Sequence, residues 1–190
     1  MRIALICGSQ RQGSLNARLL DALAALLPAG VTVDRIAPAE VALPLYDTAL
    51  EADPAVQAQL WRLHARIAGA DALIVASPEF NGMMTPFLKN LVDWVSRLPR
   101  IVPGAPDAFL DRPVLLASAS PGWSGGALGL LAMRTLLSHL GAVTFGETVA
   151  LPYADRAWDA AGAPNPMLRA GWAETVGRFC AFAGVRRLAA

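Results

Sequence analysis

Apolar residues return along this chain in two alternating rhythms. Ile3 to Cys7 is an unbroken apolar run that reads as a strand, after which Leu15, Leu19, Leu20, Leu23 and Leu27 recur at helical spacing until Pro28 and Gly30 close the helix. Val31 to Ile36 alternates apolar and polar positions and reads as a second strand. Pro38 to Pro54 reads as a loop containing Tyr46, and Ala55 to Ala68 as an amphipathic helix with Val56, Leu60, Leu63 and Ile67 on one face. The third strand, Ala72 to Ala76, is apolar throughout and is expected at the centre of a sheet. Pro86 to Leu98 is a helix with Leu88, Leu91, Val92 and Val95 on its apolar face. Arg112 and Pro113 precede a fourth strand, Val114 to Ala117; Gly126 to Leu140 is the fourth helix and Val143 to Leu151 the last strand. A Pro/Gly/Asp-rich stretch, Pro152 to Pro166, leads into a final helix from about Met167 to Ala183.

Short apolar strands alternating with helices predict an α/β fold, a parallel sheet covered on both faces in a three-layer sandwich. Five strands in a chain this long favour the order 2-1-3-4-5 over a six-stranded dinucleotide-binding sheet, although periodicity alone leaves both open. With no repeat and no Ser/Gly linker, residues 1–190 are expected to form one domain. A composition of 55% hydrophobic and 16% charged residues excludes a disordered chain. The net charge of +1 offers no electrostatic footprint for nucleic acid or for an anionic membrane. Two cysteines, Cys7 and Cys180, do not make a disulfide framework, and Cys7, inside an apolar run, is expected to be a buried small hydrophobe. The apolar start, Met1 to Gly8, is too short for a signal peptide. The longest apolar stretch, from Leu128, is broken by Arg134 and His139 before the ~18 residues a membrane span needs. A cytoplasmic protein is expected. Lys89 is the only lysine beside fifteen arginines, which suggests a position where arginine does not fit.

In an open parallel sheet, ligands bind beyond the carboxyl ends of the strands, and three loops there have unusual composition. The first is Gly8-Ser9-Gln10-Arg11-Gln12-Gly13-Ser14-Leu15-Asn16. Unpaired N–H groups at the following helix start suit a phosphate, the glycines let the backbone curl, and Ser9, Ser14, Asn16 and Arg11 supply donors. The same segment also reads as an ordinary turn with Ser14 as helix N-cap. The second loop, Pro78-Glu79-Phe80-Asn81-Gly82-Met83-Met84-Thr85-Pro86, could flank a planar ring, or be a turn with Phe80 and the methionines in the core. The third, Ser118-Ala119-Ser120-Pro121-Gly122-Trp123-Ser124-Gly125-Gly126, permits close backbone approach; Trp123 is either a core plug or a pocket wall.

Other chemistries lack their residues. His64 and His139 lie in helical patterns without metal-ligand spacing, and read as a helix-surface and a helix C-terminal residue. There is no GxxxxGK[ST] and no GxGxxG. Asp93 and Glu147 are read as structural acids.

At its three loops the chain resembles the NAD(P)H-dependent FMN reductase family of flavodoxin-like proteins, which includes quinone, azo-compound and metal-ion reductases. Gly8 to Asn16 is similar to that family's G-S-x-R-x-G-S-x-N motif. Pro78-Glu79-Phe80-Asn81-Gly82, Thr85-Pro86, Leu88-Lys89-Asn90, Asp93-Trp94 and Ser96-Arg97 resemble P-E-Y-N-G-S-x-T-P-x-L-K-N-x-x-D-W-x-S-R. The third loop, followed by Met133-Arg134, is similar to S-x-S-P-G-x-x-G-G and its helix. The resemblance implies a flavodoxin-like fold with strand order 2-1-3-4-5 and FMN held without a covalent link. Ser9, Arg11, Ser14, Leu15 and Asn16 would hold the phosphate; Pro78, Glu79, Phe80 and Asn81 would lie against the isoalloxazine; Ser118, Pro121 and Gly122 would close its other edge. Lys89-Asn90 and Asp93-Trp94 would be structural or at a subunit contact. No catalytic side chain is implied, because the flavin carries the chemistry. NAD(P)H would be the co-substrate, a quinone, flavin or related small molecule the acceptor, hydride transfer ping-pong, and the assembly a homodimer or homotetramer. Phe80 in place of the family's tyrosine loses a hydroxyl, and Met83 in place of serine makes the neighbourhood more apolar. Two rival readings are an electron carrier of the flavodoxin type, opposed by the near-neutral charge and Arg11, and a flavin-free binding protein that keeps the fold.

Overall fold

A computed structural model describes residues 1–189, with side chains through residue 185. Five strands, β1 (Arg2–Cys7), β2 (Thr32–Ile36), β3 (Ala72–Ala76), β6 (Pro113–Ala119) and β7 (Val143–Leu151), form a parallel sheet in the order β2-β1-β3-β6-β7. This is the expected 2-1-3-4-5 topology. The labels differ because two further strands, β4 (Glu79–Phe80) and β5 (Met83–Met84), form a separate antiparallel hairpin where a plain loop was expected.

The apolar runs are continuous because each central strand buries both faces. Ala4, Ile6, Leu73, Val75, Val114 and Leu116 join the core beneath α2 (Pro54–Ala68), α3 (Pro86–Ile101) and α4 (Ala127–His139). Their neighbours Ile3, Leu5, Ile74, Leu115 and Ala117 face α1 (Leu15–Ala24) and α5 (Pro166–Ala189). The two edge strands differ: β2 is largely exposed, and β7 alternates between more and less exposed positions toward its end. Its Asp34 is held by Arg2 and Arg66, and these guanidiniums keep the carboxyl below its ordinary range. Ser14, Asp53 and Thr85 cap α1, α2 and α3 with their side chains, so three helix starts were written locally.

Several boundaries moved. α1 stops at Ala24, short of Leu27, and α3 runs through Pro99 to Ile101. The stretch from Pro38 to Pro54 contains two short 3-10 turns, at Pro38–Glu40 and Thr48–Leu50. Asn90 pins this stretch by accepting from the Tyr46 amide (2.8 Å) and donating to the Pro44 carbonyl (2.8 Å), which Trp94 Nε1 also reaches (2.8 Å). Asn90 and Trp94 are therefore structural. Lys89 instead pairs with Asp93 on the exposed side of α3 (2.7 Å), an i,i+4 pair of the kind worth about 0.3–0.5 kcal/mol. That geometry gives arginine room, contrary to the expectation from the lone lysine. Glu147 is bound by Arg178 and Thr175.

His64 overturns its expectation as a surface residue. It is 1% exposed in α2, its Nε2 lies 2.8 Å from the Pro106 carbonyl, and burial pushes its pKa down. Cys7 and Cys180 are free and buried, as expected for Cys7, and burial raises both thiols. Among the described residues no helix is long and apolar enough to cross a membrane.

Candidate functional site

The three loops meet at the carboxyl edge of the sheet. The first is knitted to the second at Gly8, where a Cβ would come within 2.7 Å of Ser77 Oγ. Only glycine permits that crossing. Thr85 Oγ1 donates to the Gly8 carbonyl (2.6 Å) while accepting from the Leu88 amide as the cap of α3. One hydroxyl thus ties the first loop to a helix start 77 residues away.

Ser14 is the N-cap of α1, its Oγ accepting from the amides of Asn16 (3.2 Å) and Ala17 (3.4 Å). As an acceptor it keeps its own proton to give to a ligand. Asn16 is 2% exposed, and its side-chain amide makes a reciprocal pair with the backbone of Ala119: Nδ2 donates to the carbonyl and Oδ1 accepts from the N–H, each at 2.9 Å. Pairing between β3 and β6 ends at Ala76–Ala117, so Asn16 supplies the rung that β3 no longer reaches. Arg11 is exposed, and among the described residues its guanidinium pairs with no carboxylate.

The second loop is the β4–β5 hairpin. Asn81 (φ 53°) and Gly82 (φ 77°) occupy its two-residue turn, both left-handed as a type I′ turn requires. Phe80 faces Met83 across the hairpin, and both are more than half exposed, whereas Met84 is buried. The expectation that left Phe80 and Met83 free to be core residues is therefore resolved toward the surface. Glu79 accepts from the Gly129 amide through Oε2 (2.9 Å).

The third loop turns back on itself, with Gly122 N–H donating to Ser120 Oγ (3.1 Å) and Ser120 N–H to the Leu151 carbonyl (3.0 Å). Trp123 is neither a plug nor covered: it is 80% exposed.

An open cleft of about 250 Å³ lies between the loops. Ser9, Arg11, Ser14, Leu15 and Asn16 border it from the first loop, Pro78, Glu79 and Phe80 from the second, and Pro121 from the third. Three of the anticipated residues do not border it: Asn81 sits in the hairpin turn, Gly122 lies one residue beyond Pro121, and Ser118 is fully buried. Strand parity explains Ser118. It shares the α4-facing side of β6 with Leu116, and its Oγ would be 2.0 Å from a Cβ at Gly126, the left-handed N-cap of α4. Among the described residues its hydroxyl has no hydrogen-bond partner. Ala119 and Ser120 border the cleft instead and were missed. Counting in twos from Ala117, which faces α1, would have found Ala119.

The donor set fits a phosphate monoester: a helix N-terminus, two hydroxyls from Ser9 and Ser14, and a guanidinium with no partner among the described residues. A planar group beyond it would meet backbone at Pro78–Phe80 on one side and Pro121 on the other. These residues fit FMN as implied by the sequence resemblance.

Comparison with known proteins agrees. A family model described as NADPH-dependent FMN reductase matches residues 1–156. A quinone reductase of Escherichia coli strain K12 is 30% identical over 147 residues, covering 77% of this chain and 74% of its own. An NAD(P)H-dependent FMN reductase of Pseudomonas aeruginosa is 33% identical over 167 residues, covering 85% of this chain and 83% of its own. In structure the chain is similar to a flavoenzyme NAD(P)H:(acceptor) oxidoreductase from Paracoccus denitrificans, with a TM-score of 0.84, 24% identity and coverage of 97% and 98% of the two chains.

Proposed function

The chain belongs to the NADPH-dependent FMN reductase family, an oxidoreductase family using FMN and NAD(P)H, and on that premise we propose that it passes two electrons from NAD(P)H to quinones or related small acceptors by a ping-pong sequence. The observation carrying the reading is the cleft that joins Arg11, Ser9 and Ser14 to the backbone of Pro78–Phe80. Bound FMN would supply the hydride chemistry, which side chains cannot perform. The protein's work is to bind and orient. Arg11 and the two hydroxyls neutralise and fix the phosphate at the start of α1. Pro78–Phe80 and Pro121 hold the planar part from either side. The cleft stays open to solvent, which lets nicotinamide and acceptor use one place in turn. The exposed Phe80 and Met83 favour apolar, planar acceptors.

Residues 1–190 act on this reading as one FMN-binding domain in the cytoplasm. Its working form is a homodimer or homotetramer, supported by the exposed Phe80, Met83, Leu128 and Leu131 on the hairpin and α4, and measured by light scattering.

The deciding experiment is a visible spectrum of the purified protein, followed by bleaching with NADPH or NADH and recolouring with benzoquinone. A colourless protein that leaves FMN fluorescence unquenched refutes FMN binding. A flavin-loaded protein that neither nucleotide bleaches is an electron carrier instead. Steady-state kinetics requiring both substrates to bind together refute the ping-pong order.

A further inference from the structure

Glu79 stands in the cleft wall, yet its carboxylate is engaged away from the cleft. It accepts the amide of Gly129, in the first turn of α4, at 2.9 Å. First-turn amides have no partner inside their helix, and the helix dipole favours a negative group there. The N-cap of α4 is Gly126, which makes no side-chain cap bond. Glu79 therefore reaches across from another element to do what Ser14, Asp53 and Thr85 do within their own helices.

The approach is close enough to constrain both partners. A Cβ on Gly129 would lie 3.2 Å from Glu79 Cβ and 3.4 Å from its Cα and Cγ. At the tip of the hairpin, a Cβ on Gly82 would be 3.5 Å from Leu128 Cδ1. The hairpin thus rests on α4 at its base and its tip. It needs such support, because a ribbon with two residues per strand does not hold itself together in water. Beyond α4 it is anchored by Met84, buried in the core, and by Thr85, which follows β5 and bonds Gly8.

We propose that Glu79 is a positioning residue: by capping α4 at Gly129 it fixes the β4–β5 hairpin, and with it Phe80, against the cleft. The functional half of this proposal rests on the FMN reading above; the structural half does not. Without the carboxylate, the turn and the Thr85 anchor remain, but the segment carrying Phe80 is free to swing off α4. The wall against which a ring and an acceptor pack then becomes loose.

Amide hydrogen exchange on the purified protein, with and without added FMN, reads this directly. In Glu79→Ala, exchange at Gly129 should rise at least about tenfold and at Phe80 and Met83 severalfold, with β1 and β3 unchanged. Glu79→Gln keeps an oxygen acceptor in place and should stay within about threefold of the parent. Gly129→Ala leaves the Glu79 carboxylate in the sequence but presses a Cβ against the Glu79 stem, and should loosen the same hairpin amides. In the FMN-loaded protein, Glu79→Ala should raise KM for benzoquinone about fivefold while kcat changes less than twofold. The proposal is overturned by unchanged exchange at Gly129 in Glu79→Ala, by a rise spread over the whole sheet, by Glu79→Gln exchanging as fast as Glu79→Ala, or by a kcat loss with KM unmoved. A parent protein that binds no FMN refutes the function proposed above and leaves the exchange result standing.

Discussion

Removing the Asn16 side chain tests whether the first loop is built for the fold or for the ligand. Its amide replaces a missing sheet rung by holding both backbone groups of Ala119, each at 2.9 Å. Asn16 and Ala119 are each 2% exposed, so Asn16→Ala leaves a donor and an acceptor stranded in a nearly dry place. Each stranded group costs about 1–3 kcal/mol. With water able to enter partway from the adjoining cleft, the lower half of that range applies, and the loss is about 3 kcal/mol. For a chain of this size, 1 kcal/mol shifts Tm by roughly 2–4 °C, so Tm should fall by roughly 6–12 °C. Asn16→Asp should be at least as harmful at neutral pH, because it turns a carboxylate oxygen toward the Ala119 carbonyl. The assay is thermal unfolding by circular dichroism with no FMN added. If Asn16→Ala keeps its Tm in the absence of FMN and loses only FMN affinity, the rung argument is wrong and the side chain serves the phosphate. One Nδ2 hydrogen is left over after the Ala119 pair, so a smaller effect on FMN affinity in the folded fraction is compatible with the argument.

Arg11→Ala should show the opposite pattern, with FMN affinity falling tenfold or more by fluorescence titration and Tm without FMN unchanged, since the exposed guanidinium has no internal carboxylate partner among the described residues. Gly126→Ala should lower Tm by several degrees: it puts a Cβ 2.0 Å from Ser118 Oγ at a φ of 85°, and pairing it with Ser118→Gly should recover the steric part only. His64 should make stability fall as pH drops. Burial lowers its folded pKa, so the unfolded chain takes up the proton first, near pH ~6.5. Its contribution is fully present above that pH and is lost as pH falls toward the lower folded value. The urea midpoint should therefore drop between pH 7.5 and pH 5.5, about the window set by the ordinary histidine value, and His64→Gln should flatten that slope. The carboxyls of Asp34, Glu40, Glu51 and Glu147, all held low by arginines or hydrogen bonds, add their losses only in more acidic solution.

What could be read from the sequence divides by the range of the interaction that decides it. Strands and helix faces were legible because burial acts on every third, fourth or second residue, and those periods are visible along the chain, whereas sheet order was not periodic and followed from the number of strands. Three helix starts were legible because Ser14, Asp53 and Thr85 cap their own helices. The hairpin was missed although Asn81-Gly82 is a strong local signal for a type I′ turn. Its strands are only two residues long, too short for any alternation to show. His64 was misplaced because its partner, the Pro106 carbonyl, is 42 residues away and belongs to a segment with no periodic pattern.

The site follows the same division with one difference. The loops themselves were legible from composition, but the side each residue faces was set by contacts across the chain: Asn16 to Ala119, Thr85 to Gly8, Glu79 to Gly129. Each contact joins a residue of one motif to the backbone of another. A substitution at any of them should therefore disturb a loop other than its own. Among the described residues the Arg11 side chain has no such tie, and there cofactor affinity and fold stability should separate most cleanly. Motif residues in this fold thus fall into two kinds, those that assemble the three loops and those left free to meet a ligand, and the hydrogen bonds within the protein tell them apart.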